Sequence, residues 1–225
     1  MDNREPAIQG VIFDMDGVLC DSEEFICAAA CRMFAETYGL TVKPEDFVPF
    51  VGTGENRYIG GVAEKHGIDW KIERDKARTY EIYLELIRGC LKPLPGVREF
   101  VSACRERGIA LAVATSADRV KMDGNLKEIR VPPELFDVCL TGSEVEHKKP
   151  HPEIFLTAAR RLGLSPRKCL VVEDAPNGVR AARAAGCPCL GLTSSFTEAD
   201  LRAAGADWIA PDLSAVPAEC AGCFS

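Results

Sequence analysis

Short apolar runs alternate with amphipathic segments along the second half of the chain. Segments such as GVREFVSACRERG and PEIFLTAARRLG are amphipathic and close on a glycine, a residue that often ends a helix in the left-handed conformation. Nearly continuous apolar strands separated by helices predict a parallel sheet that is covered on both faces. The predicted strands occupy residues 110–115, 138–141, 169–173, 188–192 and 207–210.

Residues 22–92 do not follow this alternation. Helical segments follow one another there, of which SEEFICAAACRMFAETYG is the longest, and no convincing strand separates them. A further apolar run, Val11-Ile12-Phe13, precedes this stretch. We therefore predict an α/β fold with a Rossmann-like parallel sheet core at residues 1–21 and 93–225. An all-helical domain, residues 22–92, is expected to be inserted after the first strand.

Composition excludes several classes of partner. The 225 residues are enough for one large domain or two modest ones. A formal net charge of −7 argues against a nucleic-acid partner, and no apolar run approaches the length of a membrane span, so we expect no membrane contact. The start, MDNREPAIQG, lacks the features of a secretory signal.

Cysteine usage points to a reducing compartment. There are eleven cysteines, an odd number, and most lie in apolar segments, where a thiol serves as a small buried hydrophobic group. Cys220 and Cys223 form a single C-x-x-C pair near the end of the sequence. Without a second pair or nearby histidines, this spacing is a weak zinc signal.

Polar residues that could take part in catalysis or ligand binding follow four of the predicted elements. In an open parallel sheet, ligands bind beyond the carboxyl ends of the strands. Each group also has an ordinary structural interpretation as a turn, a helix cap or a surface lysine, but their joint occurrence in this order favours a site. The four groups are Asp14 with Asp16, Thr115 with Ser116, Lys149 in KKPHPEIF, and Glu173 with Asp174.

Taken together, these motifs resemble the haloacid dehalogenase (HAD) superfamily of phosphatases. The pattern is D-x-D-G-V, then T-S, then K-P-x-P-E-I-F, then E-D-x-x-x-G-V-x-A-A-x-A-A-G, and it extends over nearly the whole chain. The helical insertion resembles the C1 cap of β-phosphoglucomutase-like members. DFVPFVGTGENRYIGGVAEK and SADRVKMDGNLK are similar to the HAD domain of plant and algal suppressor of quenching proteins. That similarity implies a location in the chloroplast stroma and an origin in a larger multidomain protein.

The resemblance implies a hydrolytic mechanism on a small phosphorylated metabolite. Asp14 is expected to be the nucleophile that forms an aspartyl-phosphate, and Asp16 the general acid and base. The Thr115 hydroxyl and the Ser116 amide are expected to hold the phosphoryl oxygens. Lys149 is expected to offset the negative charge that gathers around them.

A magnesium ion would make the acidic cluster tolerable. Asp14 and Asp16, two residues apart, repel each other unless a cation lies between them. Mg²⁺ prefers oxygen ligands, and we expect these from the carboxylates of Asp14 and Asp174 and from the backbone carbonyl of Asp16. Glu173 would orient the metal-bound waters or ligate directly.

The residues present argue for or against several other functions. A phosphosugar mutase of the β-phosphoglucomutase type would have a histidine twelve residues after the nucleophile, where this chain has Ile26. Asp16 and the Glu173-Asp174 pair argue against a true dehalogenase, and no distinctive lysine suggests a phosphonatase. The helical insertion argues against a two-component receiver domain. A HAD-fold regulatory or interaction domain of a larger chloroplast protein is a further alternative.

The insertion also contains the expected substrate-recognition segment, FVGTGENRYIGG. Gly52 and Gly54, on either side of Thr53, would let the segment bend over the site. Its polar groups are Glu55, Asn56 and Arg57. The alternative interpretation of this segment is the start of a helix on the protein surface. Phosphosugars, phosphoglycolate and a flavin mononucleotide-like ester all remain open as substrates. The three histidines, His66, His147 and His151, look scattered along the sequence. We expect the chain to be a monomer.

Overall fold

A parallel sheet forms the centre of the molecule. The computed structural model describes residues 8–50 and 54–224, and within them the sheet has six strands in the order β3-β2-β1-β4-β5-β6. All neighbouring strands run parallel. The strands are β1 (Gly10–Phe13), β2 (Ala110–Ala114), β3 (Val138–Leu140), β4 (Cys169–Glu173), β5 (Cys189–Leu192) and β6 (Trp208–Ala210).

Helices connect these strands and cover the sheet. In the described part of the chain, none of them is both long and apolar enough to cross a membrane. They are α1 (Glu23–Tyr38), α2 (Glu55–Lys65), α3 (Ile72–Ile87), α4 (Val97–Glu106), α5 (Arg119–Glu128), α6 (Glu153–Arg161), α7 (Pro176–Ala185), α8 (Glu198–Ala204) and the short α9 (Ala218–Ala221).

The α/β prediction is confirmed, and each of the five strands predicted in the second half lies within one residue of its expected bounds. The reason is visible in β1, whose four residues are fully buried. Val11 and Phe13 pack into the core on one face of the sheet, and Ile12 packs into a separate core on the other. Because alternate side chains of a strand point to opposite faces, a strand buried on both faces needs an unbroken apolar run.

The strand order places β1 between β2 and β4. Gly10 lies opposite Ala110 on one side and Cys169 on the other, and this register continues to Phe13. The described residues between β1 and α4 form helices and short 3-10 turns, with α1 packed on α3. The division of the chain into two domains at residues 22 and 92 stays a prediction, and we call residues 22–92 the helical insertion.

The two connections between the helical insertion and the sheet core lie side by side. The backbone N–H of Leu94 donates to the carbonyl of Leu19 at 3.0 Å, and Cys20 forms an isolated antiparallel bridge with Pro93. Helix α3 of the insertion also contacts α5, which follows β2. The insertion is therefore held against the carboxyl edge of the sheet from two directions.

Most of the cysteines are buried or partly buried in this fold, and Cys90 is exposed. None of the eleven forms a disulfide, and Cys220 is buried in the larger core. Among the described residues, no group of three or more potential metal ligands includes a cysteine. Cys223 packs against the same core as Cys220.

Candidate active site

Three strand ends meet at one edge of the sheet and bring the predicted residues together. Asp14 directly follows β1, Thr115 follows β2, and Glu173 is the last residue of β4. The backbone of Asp14 donates to the carbonyl of Val172 at 3.0 Å, which holds its side chain beside the end of β4. These residues line a cavity of about 610 Å³ that extends toward the helical insertion.

Lys149 joins two of the carboxylates. Its Nζ lies 2.5 Å from Asp14 Oδ1 and 2.6 Å from Glu173 Oε1, and it donates to the carbonyl of Ala114 at 3.2 Å. The Lys149 side chain is almost fully buried. Burial opposes its charge, but the carboxylates of Asp14 and Glu173 outweigh burial and raise the Lys149 pKa. Lys149 is therefore a fixed positive charge beside the end of β1.

The carboxylates outnumber this lysine. Asp14, Glu173 and Asp174 are all buried, and each offers a carboxylate oxygen within 4.8 Å of the others. Burial raises the pKa of Asp14 to about 7 against the opposing effect of Lys149. Burial, and then the charges of Glu173 and Asp14, raise the pKa of Asp174 well above its ordinary value. Three clustered carboxylates with one lysine form an oxygen donor set with excess negative charge, which fits Mg²⁺.

Two glycines let the chain approach these carboxylates closely. A Cβ atom at Gly17, where φ is +77°, would lie 1.9 Å from Asp174 Oδ2. A Cβ at Gly178, in the first turn of α7, would lie 1.9 Å from the Glu173 carboxyl carbon. Such distances are far below van der Waals contact, so the glycines of D-x-D-G and E-D-x-x-x-G have a packing role. They allow the acidic cluster to be enclosed.

Asp16 lies in a different environment from Asp14. Its carboxylate accepts a hydrogen bond from the hydroxyl of Ser22 and another, at 2.8 Å, from Lys121 Nζ. The Asp16 side chain is 30% exposed and does not belong to the cluster of Asp14, Glu173 and Asp174. The two aspartates of the motif thus have separate partners.

Lys121 was not predicted as a site residue. Its Nζ contacts Asp16 and lies 3.7 Å from Glu55 Oε1, and the side chain is 4% exposed. Burial opposes the charge of Lys121, but the carboxylates of Asp16 and Glu55 raise its pKa well above the ordinary value. Lys121 and Asn125, one turn apart, are both buried in a mostly polar helix, and no local sequence pattern signals this burial.

Part of the predicted recognition segment faces the cavity. Gly54 and Glu55 line it, together with Tyr58 one turn later. Asn56 and Arg57 were predicted to face the site and instead lie outside it. Asn56 accepts a hydrogen bond from Lys76, while Arg57 pairs with Glu64 and lies over the Phe50 ring. The predicted Gly52 and Thr53 lie outside the described residues.

Helix geometry explains this difference. Helix α2 begins at Glu55, and successive side chains of a helix point about 100° apart. Three consecutive residues therefore cannot all face one cavity, whereas Glu55 and Tyr58, three residues apart, share a face.

Thr115 and Ser116 line the opposite wall of the cavity. Thr115 is buried, and its hydroxyl oxygen accepts a hydrogen bond from the backbone of Ala117 at 3.0 Å. A Cβ at Gly142 would lie 2.2 Å from the carbonyl oxygen of Ser116, so the neighbouring loop packs directly against this turn. The turn after β2 is consequently held in a fixed position beside Asp14.

Two of the histidines are not scattered. His147, His151 and Glu153 offer ligand atoms within 4.8 Å of one another on an exposed surface, and the two imidazole centroids are 4.5 Å apart. They lie on either side of Lys149, where the turn before α6 folds back on itself. His66 lies elsewhere and contacts Asp46.

The buried carboxyl of Glu55 should make stability depend on pH. Burial raises its pKa to about 7, against the opposing effect of Lys121. The folded protein holds this proton more tightly than the unfolded chain does. As the pH rises from about 4.5 to 7, the free energy of unfolding of the wild type should therefore fall relative to that of Glu55→Gln. The relative loss should reach at most about 3 kcal/mol. Thermal denaturation of both proteins across this range would measure it, and parallel pH profiles would contradict the assignment.

The fold and the arrangement of the strand ends agree with a comparison to known families. The family model for haloacid dehalogenase-like hydrolases matches residues 8–186. The chain belongs to this family. The match includes Asp14, Thr115, Lys149 and Glu173, the residues that meet at the edge of the sheet.

Individual relatives agree with the assignment to the HAD-like hydrolases. SUPPRESSOR OF QUENCHING 1, a chloroplastic protein of Arabidopsis thaliana, is 42% identical over 214 residues, which are 92% of this chain and 20% of that protein. The chain thus spans about a fifth of that relative. The phosphorylated carbohydrates phosphatase of Thermotoga maritima is 35% identical and is matched over 80% of this chain and 82% of its own.

A solved structure shows the same architecture. The crystal structure of a CbbY mutant from Rhodobacter sphaeroides, in complex with xylulose-(1,5)bisphosphate, superposes with a TM-score of 0.84 at 26% identity. The superposition covers 92% of this chain and 95% of that one.

Proposed function

We propose that this chain is a magnesium-dependent phosphatase that hydrolyses a small phosphorylated metabolite through an aspartyl-phosphate on Asp14. The observation that carries the proposal is the separation of the two aspartates. Asp14 lies beside Lys149 and the acidic cluster, whereas Asp16 lies toward the helical insertion with Ser22 and Lys121. The first position suits a nucleophile, and the second, on the side where the leaving group would lie, suits the residue that exchanges a proton with it.

In the first step, Asp14 would attack the phosphorus atom while the bond to the leaving oxygen breaks. The Thr115 hydroxyl and the Ser116 amide would hold the phosphoryl oxygens, and Lys149 would stabilise the charge shared by phosphate and nucleophile. Asp16 would donate its proton to the leaving oxygen, so that a neutral alcohol departs.

In the second step, water would attack the phosphorus of the aspartyl-phosphate. Asp16, now ionised, would take the proton of that water, and the Asp14 carboxylate would leave as inorganic phosphate forms. Asp16 thereby regains the proton it gave away, and both aspartates return to their starting states. Covalent catalysis of this kind divides one displacement into two with lower barriers.

The buried acidic cluster would supply the ligands for magnesium. Asp14 and Asp174 would ligate through their carboxylates and Asp16 through its backbone carbonyl, while Glu173 would orient the metal-bound waters. When bound, Mg²⁺ would offset the negative charges of carboxylates and phosphate and so allow them to approach each other.

The mutase alternative would need a proton-transfer group where this chain has an apolar one. Ile26, the residue twelve after the nucleophile, is buried and lines the cavity. An isoleucine cannot transfer a proton to or from a sugar hydroxyl. This favours hydrolysis over phosphoryl transfer between two hydroxyls of one sugar.

The helical insertion would act as the C1 cap. Gly54, Glu55 and Tyr58 face the cavity from this side, and movement about residues 19–21 and 91–95 would admit substrate and release product. The similarity to the chloroplastic relative supports a chloroplast location and a role as one module of a longer protein, and we propose the stroma as the compartment. A regulatory domain of a larger chloroplast protein that retains the phosphatase chemistry would have the same site residues and the same fold.

Hydrolysis of p-nitrophenyl phosphate by the purified chain tests the proposal directly. Turnover should require magnesium and should be lost when a chelator is added. Release of phosphate from a panel of phosphorylated metabolites would then identify the substrate class. A folded protein that hydrolyses none of these esters in the presence of magnesium would disprove the phosphatase activity and would favour a binding module.

A further inference from the structure

The cavity above Asp14 is strongly acidic. Among the described residues that line it, seven are acidic, and the only bases are Lys121 and Lys149. Bound magnesium would offset two negative charges, and the phosphate of a substrate would add two. The acidic residues are Asp14, Asp16, Asp21, Glu23, Glu55, Glu173 and Asp174.

Neither lysine is available to a second anion. Lys149 contacts Asp14 and Glu173, at the nucleophile end of the cavity. Lys121 lies at the end nearer the insertion, where Asp16 and Glu55 already surround it. Arg57, which the sequence placed over the site, is directed outward and pairs with Glu64.

The wall that would meet the leaving group carries hydrogen-bonding oxygens. Glu23 lines the cavity and accepts a hydrogen bond from the Tyr58 hydroxyl at 2.8 Å. Glu55 lines it from α2, and its Oε2 is buried with no hydrogen-bond partner among the described residues. A buried carboxylate oxygen without a donor is costly, and a substrate hydroxyl would supply one.

We propose that the leaving group of the natural substrate is hydroxyl-bearing and uncharged, and that Glu55 and Glu23 exclude esters with a second phosphate or a carboxylate. The inference rests on the proposed phosphatase activity and narrows its substrate. Above about pH 7, where the Glu55 carboxyl is ionised, a second anion would be brought toward two carboxylates with no free cation, and charge repulsion in a partly buried site costs several kcal/mol at contact distance. A hydroxyl would instead donate to these oxygens.

Matched esters that differ at a single group test this selectivity. Glycerol 3-phosphate and 3-phosphoglycerate differ only in a CH₂OH group against a carboxylate, and fructose 6-phosphate and fructose 1,6-bisphosphate differ by one phosphate. We expect kcat/KM to be at least about tenfold higher for the ester of each pair that has one anionic group, its phosphate. Equal or reversed preference would overturn the proposal. Preference for phosphoethanolamine over glycerol 3-phosphate would also overturn it, because the leaving group would then be cationic.

Two variants test whether Glu55 and Glu23 cause this selectivity. Glu55→Gln should lower the ratio of kcat/KM values within each pair at least about threefold, because it removes one of the two carboxylates that would repel a second anion. Glu23→Gln should also lower this ratio. Glu64→Gln is the matched control, since Glu64 is on the same helix but 63% exposed. Ratios in the Glu55 and Glu23 variants that equal the wild-type ratio would refute the role of these carboxylates.

The outcome separates this inference from the proposed function. Hydrolysis of p-nitrophenyl phosphate, which carries no second anion, depends on the phosphatase chemistry alone. Turnover of p-nitrophenyl phosphate together with a preference for the esters that carry a second anionic group would support the phosphatase activity and reject the proposed selectivity. Absence of all turnover would reject both. Calorimetric binding of each ester to Asp14→Asn gives an independent measure, in which the ester with one anionic group should bind more tightly.

Discussion

Replacing Asp14 by asparagine is expected to abolish phosphatase turnover while leaving the fold intact. The amide has nearly the shape of the carboxylate but is a far weaker nucleophile, so we expect at least about a thousandfold loss of kcat, or ~4 kcal/mol in the barrier. Steady-state hydrolysis of p-nitrophenyl phosphate measures this loss. Mass spectrometry of the wild-type protein quenched during turnover should show a phosphoryl group on Asp14, and the variant should show none.

Stability provides the control for this variant. Lys149 keeps its contact with Glu173 when Asp14 is replaced, and the substitution removes a carboxylate whose pKa burial raises to about 7. The melting temperature should therefore be at least that of the wild type. A variant that melts normally and keeps more than about a tenth of the activity, a barrier change under roughly 1.4 kcal/mol, would rule out covalent catalysis by Asp14.

Magnesium is expected to stabilise the folded chain and to be required for turnover. Because the acidic cluster exists only in the folded state, a concentration a hundred times the Kd should add about 2.7 kcal/mol. For a protein of this size that corresponds to a rise of about 5–10 °C in melting temperature. Thermal denaturation with magnesium and with a chelator measures the shift.

Asp174→Ala should remove the magnesium shift and should raise the stability of the metal-free protein. Both effects have one cause, because the substitution deletes a buried carboxylate that has neighbouring carboxylates and an elevated pKa. Asp69→Ala is the matched control, since Asp69 is 88% exposed and remote from the cavity wall. An undiminished magnesium response in Asp174→Ala would place the metal elsewhere.

The sequence predicted the sheet well because one simple rule governs it. A strand buried on both faces must be apolar throughout, and Cys169–Glu173 has the predicted bounds without change. Since parallel strands end at the same edge, the order of motifs along the chain also predicted that Asp14, Thr115 and Glu173 would meet. These predictions needed no knowledge of side-chain orientation.

Predictions within the helical insertion were less successful because they depended on where a helix begins. A start at Glu55 turns Glu55 into the cavity and directs Arg57 toward Glu64, and a shift of one residue would turn each side chain by about 100°. Lys121 was missed for a related reason. A lysine in a polar helix is ordinarily solvent-exposed, and its burial follows from the contact of α5 with α3, which no local pattern reveals.

The position of β1 in the sheet has a consequence for biosynthesis. Gly10–Phe13 pairs only with strands that follow the helical insertion, Ala110–Ala114 and Cys169–Glu173. At translation rates of about 5–20 residues per second, an emerging β1 would wait on the order of ten seconds for β4. During that interval it is an apolar segment with open edges, which favours misassociation between nascent chains. The helical insertion thereby lengthens the interval in which the nucleophile's own strand is unpaired.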